Sequence, residues 1–578
     1  MQATNHRSKL LDEIWKIQLS KNHISDNDLK VLADKMNIST IELDGVVSFY
    51  HFFHRRPTSE YIVYLNDSII SKFNGFSKIK QAFETATGSR FGQYRPEGPF
   101  TLFETSCIGL SDMEPAALIN FRPFTHLTPQ KVHQIISDLK AGANIDDICD
   151  KPKSTVQYVP PGANAIFLRN YEYGEAIKKL GTLNADSRLS LIKMGQLKGL
   201  GGAFFPTHFK WKACKENKSS MKYVICNADE GEPGTFKDRF LLNNYSGMVL
   251  EGMIICAYTV GAKKGIIYLR AEYQYLLDDI ENTIELFRKN GWLGINALGI
   301  NGFDFDVRVQ LGAGAYVCGE ETALLQSLEG KRGEPRPKIH FPTDRGYHQK
   351  PTVVNNVETF CLASRIVELG PEAIQNTGTA NSPGTKLISV SGDCNKPGIY
   401  EIEWGMTVRK LLELCEAEDP YAVQVSGPSG ELISAEDFDR HIALNDLKCG
   451  GSFMVFSKER SILDIIQNFN KFFVDESCGI CTPCRAGNFI LSRELRKVRR
   501  GLVTELDLEK ISEWGKIMKF SSRCGLGQTA PNSIIQAFEK FPEAFEEYLQ
   551  KESKVNRSFD LASAVVEYDS IIQNNQVI

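Results

Sequence analysis

The sequence predicts a multidomain α/β protein with a helical C-terminal unit. Its 578 residues amount to about four domains at roughly 150 residues each. From about residue 163 to 380, short β-rich runs alternate with stretches of helical period, the pattern of a sheet covered by helices. From Ser461 onward the period is helical almost throughout. The composition is that of packed globular domains, with 42% hydrophobic and 24% charged residues, 46 Gly and 23 Pro. Lys plus Arg number 67 against 71 Asp plus Glu, a formal charge of −4, so no overall basic field recruits nucleic acid.

The elements follow in order. Residues 1–19 carry Lys9, Asp12, Glu13 and Lys16 through their apolar positions, which leaves no uninterrupted apolar region for a signal peptide. A cytoplasmic location is expected, where disulfides are rare and clustered cysteines point to metal or redox chemistry. The first 55 residues have helical period, with Leu10, Leu11, Ile14, Trp15 and Ile17 as an apolar stripe and Asp26 as the cap of a second helix. Strand-like runs at 61–65 and 100–103, with helices near 78–87 and 129–139, complete a unit over 1–150. Pro152, Pro160, Pro161 and Gly162 mark a linker. An α/β domain spans 160–380, with strands at 223–226 and 265–269 and helices at 273–287 and 321–328. The most apolar stretch, 248–260, is interrupted by Glu251, Gly252 and Thr259 and is too short for a bilayer span of about 20 residues. It is expected to be a buried helix. Residues 385–457 hold short strands around one helix at 408–415, the size of a β-grasp module. Residues 461–550 form a helical domain, with Leu491, Leu495, Val498 and Leu502 on one face, and 551–578 a polar tail.

Chemistry concentrates in a few loops. Cys478, Cys481 and Cys484 lie at successive x2 spacings, and Cys524 follows 40 residues after Cys484. Three thiols on one tight turn and a fourth from a neighbouring helix suit a [4Fe–4S] cluster better than structural zinc, which is the competing reading. The glycine-rich stretch 198–207 lets backbone approach a phosphate or flat ring. It fails the G-x-G-x-x-G fingerprint because Phe204 stands where the third glycine belongs, so a plain turn is the alternative. Loops 227–234 and 312–321 combine glycine with Asp, Glu and Asn near strand ends, where α/β sheets bind ligands. Acidic residues there also cap helices without any ligand. Asn355 and Asn356 need partners if buried, and a turn is the simpler explanation.

The stretches 199–211, 227–239, 312–325, 335–342, 355–359 and 478–484 resemble the FMN- and NADH-binding flavoprotein subunit of the respiratory complex I family. That resemblance implies a Rossmann-like FMN domain, a ubiquitin-like SLBB domain of β-grasp fold and a four-helix bundle with one [4Fe–4S] cluster. It implies that Gly199, Gly201, Lys210, Asn227, Asp229, Glu230, Asn355 and Asn356 hold FMN. Gly202, Phe205, Glu232, Tyr316, Glu321, Lys338 and Phe341 would face NADH, with Phe205 and Phe341 sandwiching adenine. Cys478, Cys481, Cys484 and Cys524 would ligate the cluster. No side chain is then a catalytic acid or base: flavin exchanges a hydride with NAD(H) and passes single electrons to the cluster. Leu200, Phe204 and His208 depart from the family pattern, which has an Arg and two Gly there.

The stretches 45–53 and 105–115 are similar to the thioredoxin-like small subunit of the same family, whose [2Fe–2S] cluster sits on C-x4-C and C-x3-C pairs. Here only Cys107 remains, with Ser111 in its partner's place and no cysteine before it. A fused, degenerate module of this kind resembles the diaphorase flavoprotein subunit of soluble NAD-reducing nickel–iron hydrogenases. The flavoproteins of NAD-dependent formate dehydrogenase and of respiratory complex I are the alternatives. The implied partners are an iron–sulfur electron-transfer subunit and nickel–iron hydrogenase subunits, with no nucleic acid and no membrane span. The other nine of the 14 Cys show no ligand spacing.

Overall fold

The computed structural model describes residues 7–181 and 183–550; the tail expected over 551–578 lies outside them. The chain opens with helices Leu10–Lys21, Asp26–Met36 and Thr40–Val47. Ser25, not Asp26, caps the second. Its hydroxyl accepts from Asp28 N while the Asp28 carboxylate reaches back to Ser25 N, a reciprocal pair that satisfies two otherwise free amides. Leu10, Ile14, Leu29 and Val46 join Ile225, Ile266, Tyr268 and Val354 in one buried cluster. These helices therefore cover a face of the central sheet.

A smaller unit follows. Strands β1 (Tyr61–Asn66), β2 (Phe100–Thr105), β3 (Ala117–Ile119) and β4 (Arg122–Phe124) are ordered β2-β1-β3-β4. β1 runs parallel to β2 and antiparallel to β3. Helices Phe76–Thr87 and Pro129–Lys140 close its own core, where Ile79, Phe83, Val132 and Ile136 meet Val63 and Leu102. This is the thioredoxin-like arrangement. The residues expected to form a linker include β5 (Val156–Tyr158), which pairs with the third domain below.

The central sheet is wholly parallel, ordered β8-β7-β6-β9 from β6 (Tyr223–Ala228), β7 (Lys264–Leu269), β8 (Asp306–Leu311) and β9 (Thr352–Asn356). Asn355 and Asn356 are not in a free turn: they end β9, and Asn356 caps helix Val357–Leu369 through Glu358 N. Behind the sheet runs helix Lys237–Val260, the one helix among the described residues that is apolar and long enough to cross a membrane. Some 83% of its most apolar stretch is buried inside the protein. Gly252 is required there, since a Cβ would stand 2.0 Å from the Phe360 carbonyl oxygen. It is a core helix.

After the short hairpin of β10 (Gly378–Thr379) and β11 (Ser382–Pro383), strands β12 (Thr385–Gly392), β13 (Gly398–Glu403), β14 (Pro420–Val425), β15 (Glu431–Ser434) and β16 (Ser452–Ser457) surround helix Val408–Leu414. Their sheet is ordered β15-β14-β16-β12-β13-β5. The linker thus contributes an edge strand, and Leu387, Ile399 and Val423 share one core with Val224 and Leu250 of the central domain. The last unit comprises helices Ile462–Glu476, Thr482–Arg499, Glu505–Ser521 and Asn532–Lys540 with the short Gly525–Thr529. Leu491, Leu495 and Val498 are buried as expected, but Leu502 is 47% exposed because the helix has ended at Arg499.

Candidate functional site

A cleft of about 520 Å³ opens at the C-terminal ends of β6 and β9, where parallel sheets leave room between diverging loops. Four segments build its walls. The glycine loop closes as a hairpin, with Gly199 N donating to Phe205 O at 2.9 Å and Phe204 N to Gly199 O at 3.0 Å. Gly202 has φ +107° with open space where a Cβ would point, and Gly201 lies so close to Asn356 that a Cβ would come within 3.1 Å of its side chain. The two glycines bring bare backbone against whatever occupies the cleft. The second wall is the loop after β6, with Asn227, Asp229, Glu230 and Glu232; the third is the turn Tyr316–Gly319. The fourth comes from other domains: Ser426, Ser429, Lys448 and Gly450 from the β-grasp unit, and Cys524 and Leu526 from the helical unit.

Asp229 is the most informative wall residue. Its Oδ2 is buried with no hydrogen-bond partner among the described residues. Burial drives its pKa far above the usual carboxylate range. An unpaired buried acceptor of this kind calls for a donor supplied by a ligand. Asn227 is held by a bond from Nδ2 to Gly319 O at 2.8 Å.

Glu230 is already employed. It accepts from Asp238 N at 2.7 Å, Arg239 N at 3.1 Å and the Tyr273 hydroxyl at 2.8 Å, so it anchors the start of the core helix. Burial, with Asp238 beside it, pushes its pKa up. Lys210 lies outside the cleft walls and donates to Glu321 at 3.0 Å and to Val354 O at 2.7 Å, which joins two residues expected in different ligand sets. Asn355 is buried and accepts from the Trp211 indole at 3.3 Å. Gly199 supports the hairpin from outside the walls. Of the expected dinucleotide-facing set, Gly202, Glu232 and Tyr316 line the cleft. Glu232 accepts from the Tyr316 hydroxyl at 2.5 Å and from Ser429 N and Oγ at 2.8 Å each. Phe205 and Phe341 stand apart from the walls, 52% and 75% exposed, and Lys338 is exposed.

Several wall residues carry little or no mark in the sequence. Lys237 is buried in the wall, its ammonium 2.6 Å from Asp238, 3.0 Å from Glu358 and 3.3 Å from Asn356 Oδ1. It stands only five residues beyond Glu232, and the density of charge in 229–239 is the available signal. Ser429 and Lys448 have no local signal, since only the packing of the β-grasp unit brings them here. Lys448 lies near enough to Lys198 to depress its pKa, after the larger effect of burial. The departures are accommodated: Leu200 is buried with its amide on Thr359 Oγ1 at 2.9 Å, and Phe204 takes φ +51°. The His208 ring lies tilted against Phe209, with centroids 4.1 Å apart.

Next to the cleft, Cys478, Cys481, Cys484 and Cys524 ring one void of about 10 Å³. Gly479, at φ +76°, turns the loop, and Cys481 and Cys524 each stand just before a helix. A Cβ on Gly527 would come within 2.8 Å of Cys484 Cβ. Burial, with neighbouring thiols opposing further negative charge, pushes Cys484 up to about 11 and raises Cys478 and Cys524. Thiolates this crowded require a cationic centre. No three His, Cys, Asp or Glu side chains among the described residues converge as the ligands of a single ion. Four sulfurs around a void fit the cluster, and Val317, Cys524 and Leu526 line both void and cleft.

A second four-point site lies in the thioredoxin-like unit. Asn66 and Ser71 have x4 spacing, and Cys107 and Ser111 have x3 spacing. Cys107 Sγ is 3.7 Å from Ser111 Oγ. Asn66 donates to Glu114, which also accepts from Ala116 N at 2.8 Å and lies against Ser71. Burial raises Glu114 to about 8. One thiol, an amide and two hydroxyls do not fit a [2Fe–2S] cluster.

Comparison with known proteins agrees segment by segment. Residues 1–140 match the family described as thioredoxin-like [2Fe-2S] ferredoxin, 192–365 the Nuo51 FMN-binding domain, and 464–548 the NADH-ubiquinone oxidoreductase-F iron-sulfur binding region. Fold and site thus define a flavoprotein subunit of the complex I type with a small-subunit-like module fused in front. The chain is 45% identical over 581 residues to the NAD-reducing hydrogenase HoxS subunit alpha of Cupriavidus necator, covering 98% of this chain and 96% of that one. It belongs to that family. It is also 39% identical to the NADP-reducing hydrogenase subunit HndC of Solidesulfovibrio fructosivorans, over 66% of this chain and 80% of that one. A crystal structure of NAD+-reducing [NiFe]-hydrogenase in the H2-reduced state superposes with TM-score 0.87 and 34% identity, over 97% of this chain and 96% of that chain.

Proposed function

We propose that this chain is the FMN-dependent NADH dehydrogenase, or diaphorase, subunit of a soluble NAD-reducing hydrogenase in the cytoplasm. The observation that carries the reading is the shared wall: Val317, Cys524 and Leu526 separate the cleft from the ring of four thiols. FMN in the cleft supplies the exchange of a two-electron hydride with NAD(H) for single electrons, which a [4Fe–4S] cluster accepts.

The chain's own residues bind, orient and exclude water. Gly201 and Gly202 let the loop lie against a flat ring. Asp229 accepts a ribityl hydroxyl through its orphaned Oδ2, with Asn227 and Asn356 beside it. Lys448 and Lys198 offer neighbouring positive charge to a phosphate. Lys210, Glu230 and Asn355 use their bonds within the protein and support the flavin site from behind. Glu232 and Tyr316 receive the dinucleotide ribose over Gly202. Phe205, Lys338 and Phe341 are free to fold onto the adenosine half, and Glu321 holds Lys210 beneath. Hydrogen chemistry and onward electron transfer belong to nickel–iron and iron–sulfur partner subunits.

Cofactor analysis and an ultraviolet–visible spectrum of the purified chain test this directly. Flavin and iron in the proportion of one FMN to one [4Fe–4S] cluster, both reduced by NADH, are expected; zinc without flavin or cluster absorbance would overturn the reading. Asp229→Ala is expected to weaken FMN binding by about 1–3 kcal/mol, the worth of one buried acceptor, measured by fluorescence of released flavin. Co-purification with a molybdenum-containing rather than a nickel-containing subunit would replace the hydrogenase assignment.

A further inference from the structure

Three units of the molecule meet at one carboxylate that none of the ligand sets includes. Glu476 ends helix Ile462–Glu476, two residues before Cys478. One of its oxygens accepts from Ser106 Oγ of the thioredoxin-like unit at 2.7 Å. The other accepts from the backbone N–H of Tyr316 at 2.8 Å. From the same helix, the Phe472 ring meets the Tyr316 ring edge-on, with centroids 4.9 Å apart. Tyr316 and Val317 are consecutive, and Val317 belongs to the wall shared by the cleft and the thiol ring. Ser477, the next residue, places its hydroxyl 3.3 Å from Cys484 Sγ. The carboxylate therefore bolts the dividing wall on one side to the start of the cysteine loop on the other.

We propose that Glu476 is a positioning residue that holds the cleft wall and the cysteine loop in a fixed register, so that electrons cross from cleft to cluster over a constant distance. The proposal rests on the reading that the cluster takes its electrons from the cleft. Its energetic basis is two hydrogen bonds to one half-buried carboxyl group, which are lost together when the group is removed. Ser106 then gives the thioredoxin-like unit a task that needs no iron: it supplies one of the two donors that fix Glu476. Electron transfer depends exponentially on separation, so a loosened wall slows it more than it slows binding or hydride exchange.

The test is stopped-flow mixing of NADH with the flavin- and cluster-loaded protein. Flavin bleaching and cluster reduction are followed separately, and NADH affinity is measured by calorimetry. Glu476→Ala at full cluster content is expected to slow cluster reduction roughly tenfold, about the effect of two lost hydrogen bonds. It should also weaken NADH binding a few-fold through Tyr316. Glu476→Gln, which keeps an acceptor for Tyr316 N and a group that bonds Ser106, should restore most of both. Wild-type cluster reduction in Glu476→Ala overturns the proposal, and so does Glu476→Gln behaving like alanine, which would assign the effect to charge. If Glu476→Ala does not load its cluster, Glu476→Asp and Ser106→Ala decide. The first draws the carboxyl back from its donors, the second removes one donor, and each should slow cluster reduction about two- to threefold; unchanged rates in both overturn the proposal. A wild-type protein whose cluster NADH does not reduce would instead overturn the functional reading beneath it.

Discussion

The ring at Cys478, Cys481, Cys484 and Cys524 and the positions Asn66, Ser71, Cys107 and Ser111 are two versions of one problem. Each takes four side chains from two segments; the second set is buried throughout, while Cys478 and Cys481 are half-buried. In the first, burial and mutual repulsion raise Cys478, Cys484 and Cys524, so the site favours a cation. In the second, Asn66 and Ser71 meet the Glu114 carboxyl, itself raised to about 8 and hence mostly neutral at pH 7. The bond between Asn66 and Glu114 stands there as a local cross-link between the two segments. The scaffold around this second set has a core of its own, with Val63, Leu102, Phe83 and Ile136. Ligand chemistry, more than backbone shape, decides which site holds iron.

That contrast breaks most completely in Cys484→Ala, which removes a buried thiol beside Asn488 and Ser477. Loss of brown absorbance and of all cluster-dependent electron transfer is expected, while NADH still bleaches the flavin. Next in size is the converse, Asn66→Cys with Ser71→Cys and Ser111→Cys. If convergence suffices, anaerobic reconstitution adds a [2Fe–2S] signal in electron paramagnetic resonance; its absence would show that the Glu114 plug has altered the site's geometry. Glu114→Gln is smaller. A carboxyl whose folded pKa is raised from 4.5 to about 8 keeps its proton in the folded state and loses it on unfolding. It therefore costs stability as pH rises from about 4.5 to 8, on the order of 1 kcal/mol per pH unit. Glu114→Gln should flatten that part of the profile of melting temperature against pH. The smallest effect is expected from Asn488→Ala. Loss of the amide 3.4 Å from Cys484 Sγ should lower the cluster potential by roughly 20–60 mV, the one-electron equivalent of a weak hydrogen bond.

Much of this is legible in the chain because it is local. The spacing of Cys478, Cys481 and Cys484 places three thiols on one turn before a helix whatever surrounds it, and the runs at β6, β7 and helix Glu321–Leu328 declare themselves by period. Asp229 stands out in the sequence from its glycine-rich loop, but its unpaired oxygen is a fact of burial. The cap at Ser25 and the end of β9 at Asn356 differ from expectation by a residue or an element, because capping depends on which hydroxyl or amide the backbone turns inward. Burial on both faces also leaves β9 without a clear alternation to read.

The sequence by itself determined the chemistry this chain offers: four thiols at fixed spacings, glycine loops that admit a flat cofactor, and a first module with a cysteine at only one of its four ligand-spaced positions. Tertiary structure alone decided where these meet. The first helices cover the central sheet, β5 crosses the linker to complete the β-grasp sheet, Ser429 and Lys448 enter the cleft from that unit, and Glu476 joins three units. Such contacts join residues far apart in the chain, whose proximity is set by the apolar faces that must be buried together and leaves no periodicity in the sequence.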